Sequence, residues 1–169
     1  MSHVNLRKLL ESLGTMPAMD EEVDQLAHAL QTAGNAIAAG ADDELVLASA
    51  LHDVGRSPLV ARFFDLPHED AAAEFLKRFM PGRVVWLVRA HVDAKRYLVH
   101  AENWDKALSV RSKETLLAQG GGMDSAEAEK FLEHPWAQDA IKLRRWDDAA
   151  KVPGAETPSI DDILARYAR

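Results

Sequence analysis

Cysteine is missing from all 169 residues. Its absence excludes a disulfide framework, a thiolate nucleophile and a cysteine-bound zinc site, so any metal must be held by nitrogen and oxygen donors. Long apolar runs are missing as well: none approaches the roughly 20 residues that a bilayer-crossing helix requires. The opening stretch MSHVNLRKLLESLG is amphipathic and lacks the apolar core followed by small residues that marks a cleaved leader. A soluble, cytoplasmic protein is therefore expected. There is no surplus of positive charge either. The net charge is −7, with both signs interspersed, which argues against a nucleic-acid backbone or an anionic membrane as the main partner. An anionic substrate would have to be met by a local cluster of cations. Nothing in the sequence specifies the oligomeric state.

What is present reads as helix after helix. Val23, Leu26, Leu30, Ala33 and Ile37 recur at three- and four-residue steps, and strict alternation is almost absent, so the expected class is all-α. A helix over about 21–39 ends at Gly40, and the next begins after Asp42 and Asp43 and stops at Gly55. Another follows Pro67, with Glu69 and Asp70 suited to its positive end, and closes at Pro81–Gly82. Residues 83–99 form a long candidate helix, and a shorter one at about 109–119 runs into the glycine triplet 120–122, which reads as a flexible loop. Asp124 with Glu127 resembles a capping box, Pro135 opens a helix through about Lys151, and Ser159 with Asp162 starts a last short helix. With 47% apolar residues, a chain of this length suffices to fill a single core.

The segment LVLASALHDVG, residues 45–55, is apolar nearly all the way round and should lie at the centre of the bundle. It ends in His52–Asp53. A buried carboxylate there requires a cationic partner, and a metal ion would serve; a frayed helix end with Asp53 in water is the alternative. His28 points away from the apolar stripe of its helix and by itself reads as a residue on a solvated face. His91 and Lys95 share one helix face, His68 opens a helix, and Trp146–Asp147–Asp148 combines an aromatic anchor with two charges. Taken singly, each has an ordinary structural explanation.

Their order is H, then HD, then H, then H, then a late D, which is the HD-domain signature. Over about Glu21 to Pro158 the sequence resembles the phosphonate-cleaving HD-domain oxygenases, relatives of myo-inositol oxygenase. The match is carried by QLAHALQTAG, LVLASALHDVG, HVDAKRYL and IKLRRWDDAAKVPG. The resemblance implies a single HD-domain helical bundle. Residues 1–20 would form an N-terminal helix and lid segment, 21–151 a metal-binding core and 152–169 a tail helix. It implies two iron ions of mixed valence on His28, His52, Asp53, His68, His91 and Asp147, with Asp53 bridging; the donor set also suits manganese or zinc. Asp147 rather than Asp148 falls at the final ligand position. Lys95 and Arg144 lie on the same helical faces as proposed ligands, and the resemblance implies that they are the catalytic and substrate-holding cations, with Ser112 and Glu21 as further substrate contacts. The implied reaction uses dioxygen to cleave the carbon–phosphorus bond of a 1-hydroxyphosphonate, giving a carboxylate and phosphate.

Two positions depart from the family pattern. Ala18 stands where a lid tyrosine is expected, and Arg56 stands three residues after Asp53, where histidine is common. Arg56 would either favour a more anionic substrate or lie on the surface. Two other functions use much the same residues: a metal-dependent HD phosphohydrolase acting on a phosphate ester or nucleotide, and a non-catalytic ligand-sensing module. Oxygen consumption separates the first from an oxygenase.

Overall fold

Helical periodicity is realised throughout the computed structural model, which describes residues 3–16 and 22–169. Among these residues every regular element is helical, so the all-α expectation holds. In chain order the helices are α1 (His3–Leu13), α2 (Gln25–Ala38), α3 (Asp43–Leu51), the short α4 (Pro58–Ala61), α5 (His68–Leu76), α6 (Gly82–Glu102), α7 (Val110–Ala118), α8 (Ser125–Leu132), α9 (Ala137–Ala149) and α10 (Ile160–Tyr167). Tight helical turns at Val54–Arg56 and Trp104–Ala107 follow α3 and α6.

α3 is the axis of the bundle. Every residue from Leu45 to Leu51 is buried, because α2, α6, α9 and α10 each pack against it. This is the surrounding that a helix without a polar face requires. The Asp42 side chain caps α3 by accepting the Leu45 amide at 2.9 Å. Arg83 reaches across from α6 to Asp42 at 2.8 Å and to Asp139 at 3.0 Å, tying the starts of α3, α6 and α9 together. One cluster of buried apolar side chains runs from Leu6 on α1 to Leu164 on α10.

Several boundaries differ from expectation for local reasons. The helix after Pro67 ends at Leu76, and a turn through Met80 leads to Pro81, with the Met80 amide bonded to Leu76 O at 3.0 Å. α9 starts at Ala137 rather than Pro135, because the His134 ring accepts the Trp136 amide at 3.1 Å and stacks on Trp86. The glycine triplet is held rather than loose. Gly121 O accepts Arg96 Nε at 2.8 Å, the Gly121 amide bonds Leu116 O at 2.8 Å, and Gly120 and Gly121 adopt positive φ. The capping box expected at Asp124–Glu127 is formed, and Ser159 with Asp162, expected to start the last helix, forms a second one.

The polar face of α2, read from the sequence as solvated, is covered by α9 and the segment that follows it. Gln31 donates to Val152 O at 2.8 Å and accepts the Val152 amide at 3.1 Å, while Asn35 donates to Trp146 O at 3.1 Å. His28 is consequently only 4% exposed.

A second close approach sets the chain after α3. A Cβ on Gly55 would lie 1.8 Å from the His68 carbonyl oxygen, so only glycine lets this turn rest on the start of α5. Gly55→Ala must therefore push the two backbones apart. We expect a loss of at least about 2 kcal/mol, a drop of roughly 4–8 °C in thermal midpoint for a chain of this size. An unchanged midpoint in a calorimetric scan would show that the contact is dispensable.

Candidate metal centre

Four histidines from four places in the chain converge beneath α3. His28 comes from the second turn of α2, His52 from the end of α3, His68 from the start of α5 and His91 from the middle of α6. Three rings are oriented by backbone carbonyls. Nδ1 of His28 donates to Ala150 O at 2.8 Å, Nδ1 of His52 to Ser49 O at 2.7 Å, and Nδ1 of His91 to Val88 O at 2.6 Å. A carbonyl oxygen only accepts, so each of these rings carries its proton on Nδ1 and presents a bare Nε2 lone pair when neutral. Nδ1 of His68 lies 3.2 Å from the Glu69 carboxylate.

The Nε2 atoms meet in pairs, His28 to His52 at 3.2 Å and His68 to His91 at 3.1 Å. Two lone pairs at that distance repel unless a cation lies between them. Carboxylate oxygens complete both pairs. Asp147 Oδ1 is 2.9 Å from His28 Nε2 and 3.4 Å from His52 Nε2, and Asp53 Oδ2 is 3.5 Å and 3.2 Å from the same two atoms. The other Asp53 oxygen, Oδ1, is 3.2 Å from His68 Nε2 and 3.6 Å from His91 Nε2. Ligand atoms about 2.1 Å from a shared ion lie about 3.0–3.4 Å apart in octahedral or tetrahedral geometry, which matches these spacings. Two groups are thus able to hold a metal ion, His28–His52–Asp53–Asp147 and Asp53–His68–His91, with Asp53 placing one oxygen in each.

The electrostatics point the same way. Burial alone would raise the Asp53 carboxyl, but His52 and Arg56 outweigh it and hold the group well below the usual carboxylate range. Burial likewise opposes ionisation of Asp147, and Arg144 with His52 overcomes it. His52 is fully buried, which by itself favours the neutral ring, yet the charges of Asp53 and Asp147 draw it well above its usual range. The cluster requires positive charge, and a proton on His52 is the least that satisfies it.

Beside the two groups lies a cleft with cationic walls. Arg144 is 5% exposed and fixed on both sides: Nη1 is 2.9 Å from Asp147 Oδ2, and the remainder of the guanidinium grips Asp148, with Nε to Oδ2 at 3.1 Å. Asp148 also accepts Trp104 Nε1 at 2.6 Å, so of the two neighbouring aspartates Asp147 faces the histidines and Asp148 anchors the arginine. Lys95 is 2% exposed and donates to Thr115 Oγ1 at 3.2 Å. No carboxylate lies within ion-pair distance of it among the described residues. Burial and then Arg144 press its ammonium down to about 8.

Ser112 on α7 lines the same cleft, and Arg56 lines it too, with Nε 3.5 Å from Asp53 Oδ1. Glu21 and Ala18 lie outside the described residues. Reading the sequence missed Gln25, Arg111, Thr115 and Gln119, which share the cleft. Thr115 and Gln119 follow Ser112 by three and seven residues, so the helical spacing of α7 was the available signal.

Because a bound ion must displace the proton on His52, metal affinity should rise with pH. The apparent affinity is expected to increase about tenfold per pH unit for each proton released, near neutrality. A chelator-competition titration at several pH values reads this directly, and a flat profile would rule out proton displacement.

No family model matches the chain. It is 38% identical over 154 residues to the hydroxymethylphosphonate dioxygenase of Gimesia maris, spanning 85% of this chain and 75% of that protein. It is 33% identical over 157 residues to the glycine-betaine-forming 1-hydroxy-2-(trimethylamino)ethylphosphonate dioxygenase of Leisingera caerulea, covering 89% and 80% of the two chains. An uncharacterised protein of Acanthamoeba polyphaga mimivirus is 28% identical over 162 residues, or 90% and 74% of the two chains. With the histidine–aspartate groups in place and these identities across most of its length, the chain belongs to the phosphonate-cleaving branch of the HD-domain oxygenases.

Proposed function

We propose that this protein holds two iron ions and uses dioxygen to cleave the carbon–phosphorus bond of a 1-hydroxyphosphonate. In this reading His28, His52, Asp53 and Asp147 hold one ion, and Asp53, His68 and His91 hold the other. The observation that carries it is the Asp53 carboxylate, which places one oxygen in each histidine group beside a cleft walled by Lys95 and Arg144. The names of the two phosphonate dioxygenases support the reaction, and a donor set without sulfur suits iron. When bound, the two ions supply redox chemistry and open positions for substrate and dioxygen. The balance is simple: the hydroxylated carbon becomes a carboxylate, phosphorus leaves as hydrogen phosphate, one dioxygen provides the two added oxygen atoms, and one proton is released.

The chain's own residues bind and orient. Lys95 and Arg144 meet the phosphonate oxygens, and Ser112 adds a hydroxyl donor. Arg144 approaches with its planar fork already fixed by Asp147 and Asp148, so little side-chain freedom is lost on binding. Lys95 has only a neutral hydroxyl partner in the described structure, which leaves its charge available to an incoming dianion. Glu21 is proposed as a further substrate contact. Residues 1–169 are proposed to act as one domain.

Protein loaded with iron under low oxygen should hold close to two ions and release one phosphate per dioxygen consumed when given hydroxymethylphosphonate. Phosphate without oxygen uptake would mean hydrolysis and end this reading. Asp53→Ala should lose both ions, whereas His28→Ala should keep the ion at His68 and His91; equal metal content in the two variants would contradict a shared carboxylate.

Lys95 makes a separate prediction. An ammonium lowered to about 8 is charged below that pH and neutral above it, so KM for the phosphonate should climb as pH rises through this value. Lys95→Arg should remove that inflection, because a guanidinium keeps its charge. A KM indifferent to pH in this window would exclude Lys95 from phosphonate binding.

A further inference from the structure

Lys95 and Arg144 do not exhaust the cations of the cleft. Arg111, on the first turn of α7, lines it while half-buried and makes no hydrogen bond or ion pair with any described residue. A guanidinium withdrawn partly from water and bonded to none of the described residues is a candidate anion site. Arg56 adds a third guanidinium from the turn after Asp53, and its Nε lies no closer than 3.5 Å to the nearest carboxylate oxygen. Lys151 lines the cleft as well, with Nζ 3.3 Å from Ser109 Oγ.

Gln25 provides an independent observation. It begins α2, is 6% exposed and lines the cleft, yet its Oε1 has no hydrogen-bond partner and its amide nitrogen none among the described residues. The orphaned Oε1 is an acceptor that a ligand hydroxyl or a water completes, which leaves Nε2 to donate to an anion.

Against these groups the described lining offers two carboxylates, Asp53 and Asp147, and both are committed to the histidine groups. No phenylalanine, tyrosine or tryptophan is among the described lining residues. A quaternary or primary ammonium tail is recognised by aromatic faces or free carboxylates; the described lining carries no such aromatic face and no uncommitted carboxylate, and Glu21 lies outside the described residues. The described lining is thus cationic in character, whereas a trimethylamino substituent such as the one in the name of the Leisingera caerulea relative would need the opposite charge.

We propose that the substituent on the hydroxylated carbon of the substrate ends in a carboxylate, and that Arg111 holds this carboxylate, with the Gln25 amide donating to it. The assignment rests on the reading of Lys95 and Arg144 as the phosphonate site. It makes Arg111 a specificity-determining residue, with no part in holding metal.

Equilibrium binding tests the assignment without turnover. Metal-loaded protein is titrated calorimetrically, under low oxygen, with three phosphonates that lack the reacting hydroxyl: phosphonoacetate, ethylphosphonate and 2-aminoethylphosphonate. Phosphonoacetate should bind about tenfold or more tightly than either of the others, as expected for one charge-assisted bidentate pair. Arg111→Gln should abolish that advantage while leaving ethylphosphonate affinity within about twofold and the thermal midpoint unchanged, since Arg111 bonds to none of the described residues.

Equal binding of the three ligands, tightest binding of the amine, or an advantage that survives Arg111→Gln would each overturn the proposal. The last outcome would place the carboxylate on the metal instead. The two readings fail separately. A carboxylate preference that depends on Arg111, with no oxygen uptake on any 1-hydroxyphosphonate, refutes the oxygenase and leaves the anion site. Turnover of hydroxymethylphosphonate with no such preference does the reverse.

Discussion

A carboxylate set at the end of an apolar helix and largely withdrawn from solvent has to be met by positive charge, and Asp53 meets it on both of its oxygens. One oxygen faces His28 and His52, and the other faces His68 and His91. Much of the architecture follows from keeping that arrangement. α3 is enclosed on all sides so that its end is dry, Gly55 allows the next turn to lie on the His68 backbone, and α6 is long enough to carry both His91 and Lys95. Three of the four imidazoles are aimed by main-chain carbonyls, the most rigid acceptors available, so the rings hold their orientation before any ion arrives.

This centre works against stability and the apolar core offsets it. Buried charges lose hydration that their mutual attraction only partly returns, and removing one partner leaves the others stranded. The chain Trp104–Asp148–Arg144–Asp147 shows how the loss is limited, since every charged group in it is shared with a neighbour. Exposed pairs such as Lys77 with Glu74 are of another kind. Solvent screens them, and they contribute little to holding the fold.

The proposed phosphonate contacts Lys95 and Arg144 share α6 and α9 with proposed ligands, whereas the outer wall of the cleft belongs to another helix. The proposed ligands sit on α2, α3, α5, α6 and α9, deep in the core, whereas Ser112, Thr115 and Arg111 sit on α7, whose single buried side chain is Leu116. A thinly anchored helix carrying the outer wall of the cleft can vary in sequence without disturbing the centre.

The sequence by itself determined the helical class, most helix starts, and the order of histidines and aspartates that the family resemblance reads as a ligand set. These are local properties: apolar spacing, capping residues such as Asp42 and Ser159, and short motifs survive in one dimension because they depend on neighbours a few residues apart. The burial of His28 was not legible. Periodicity described only the polar character of its own face, and what covers that face is Ala150 and Val152, 122 and 121 residues away from their partners on α2. The turning of Arg56 into the cleft rather than onto the surface was likewise decided by packing between distant segments. So was the placing of Gln25 and Arg111 in one cleft, which no spacing rule connects. A helix's sequence states which faces it has, and only the tertiary structure decides what each face meets.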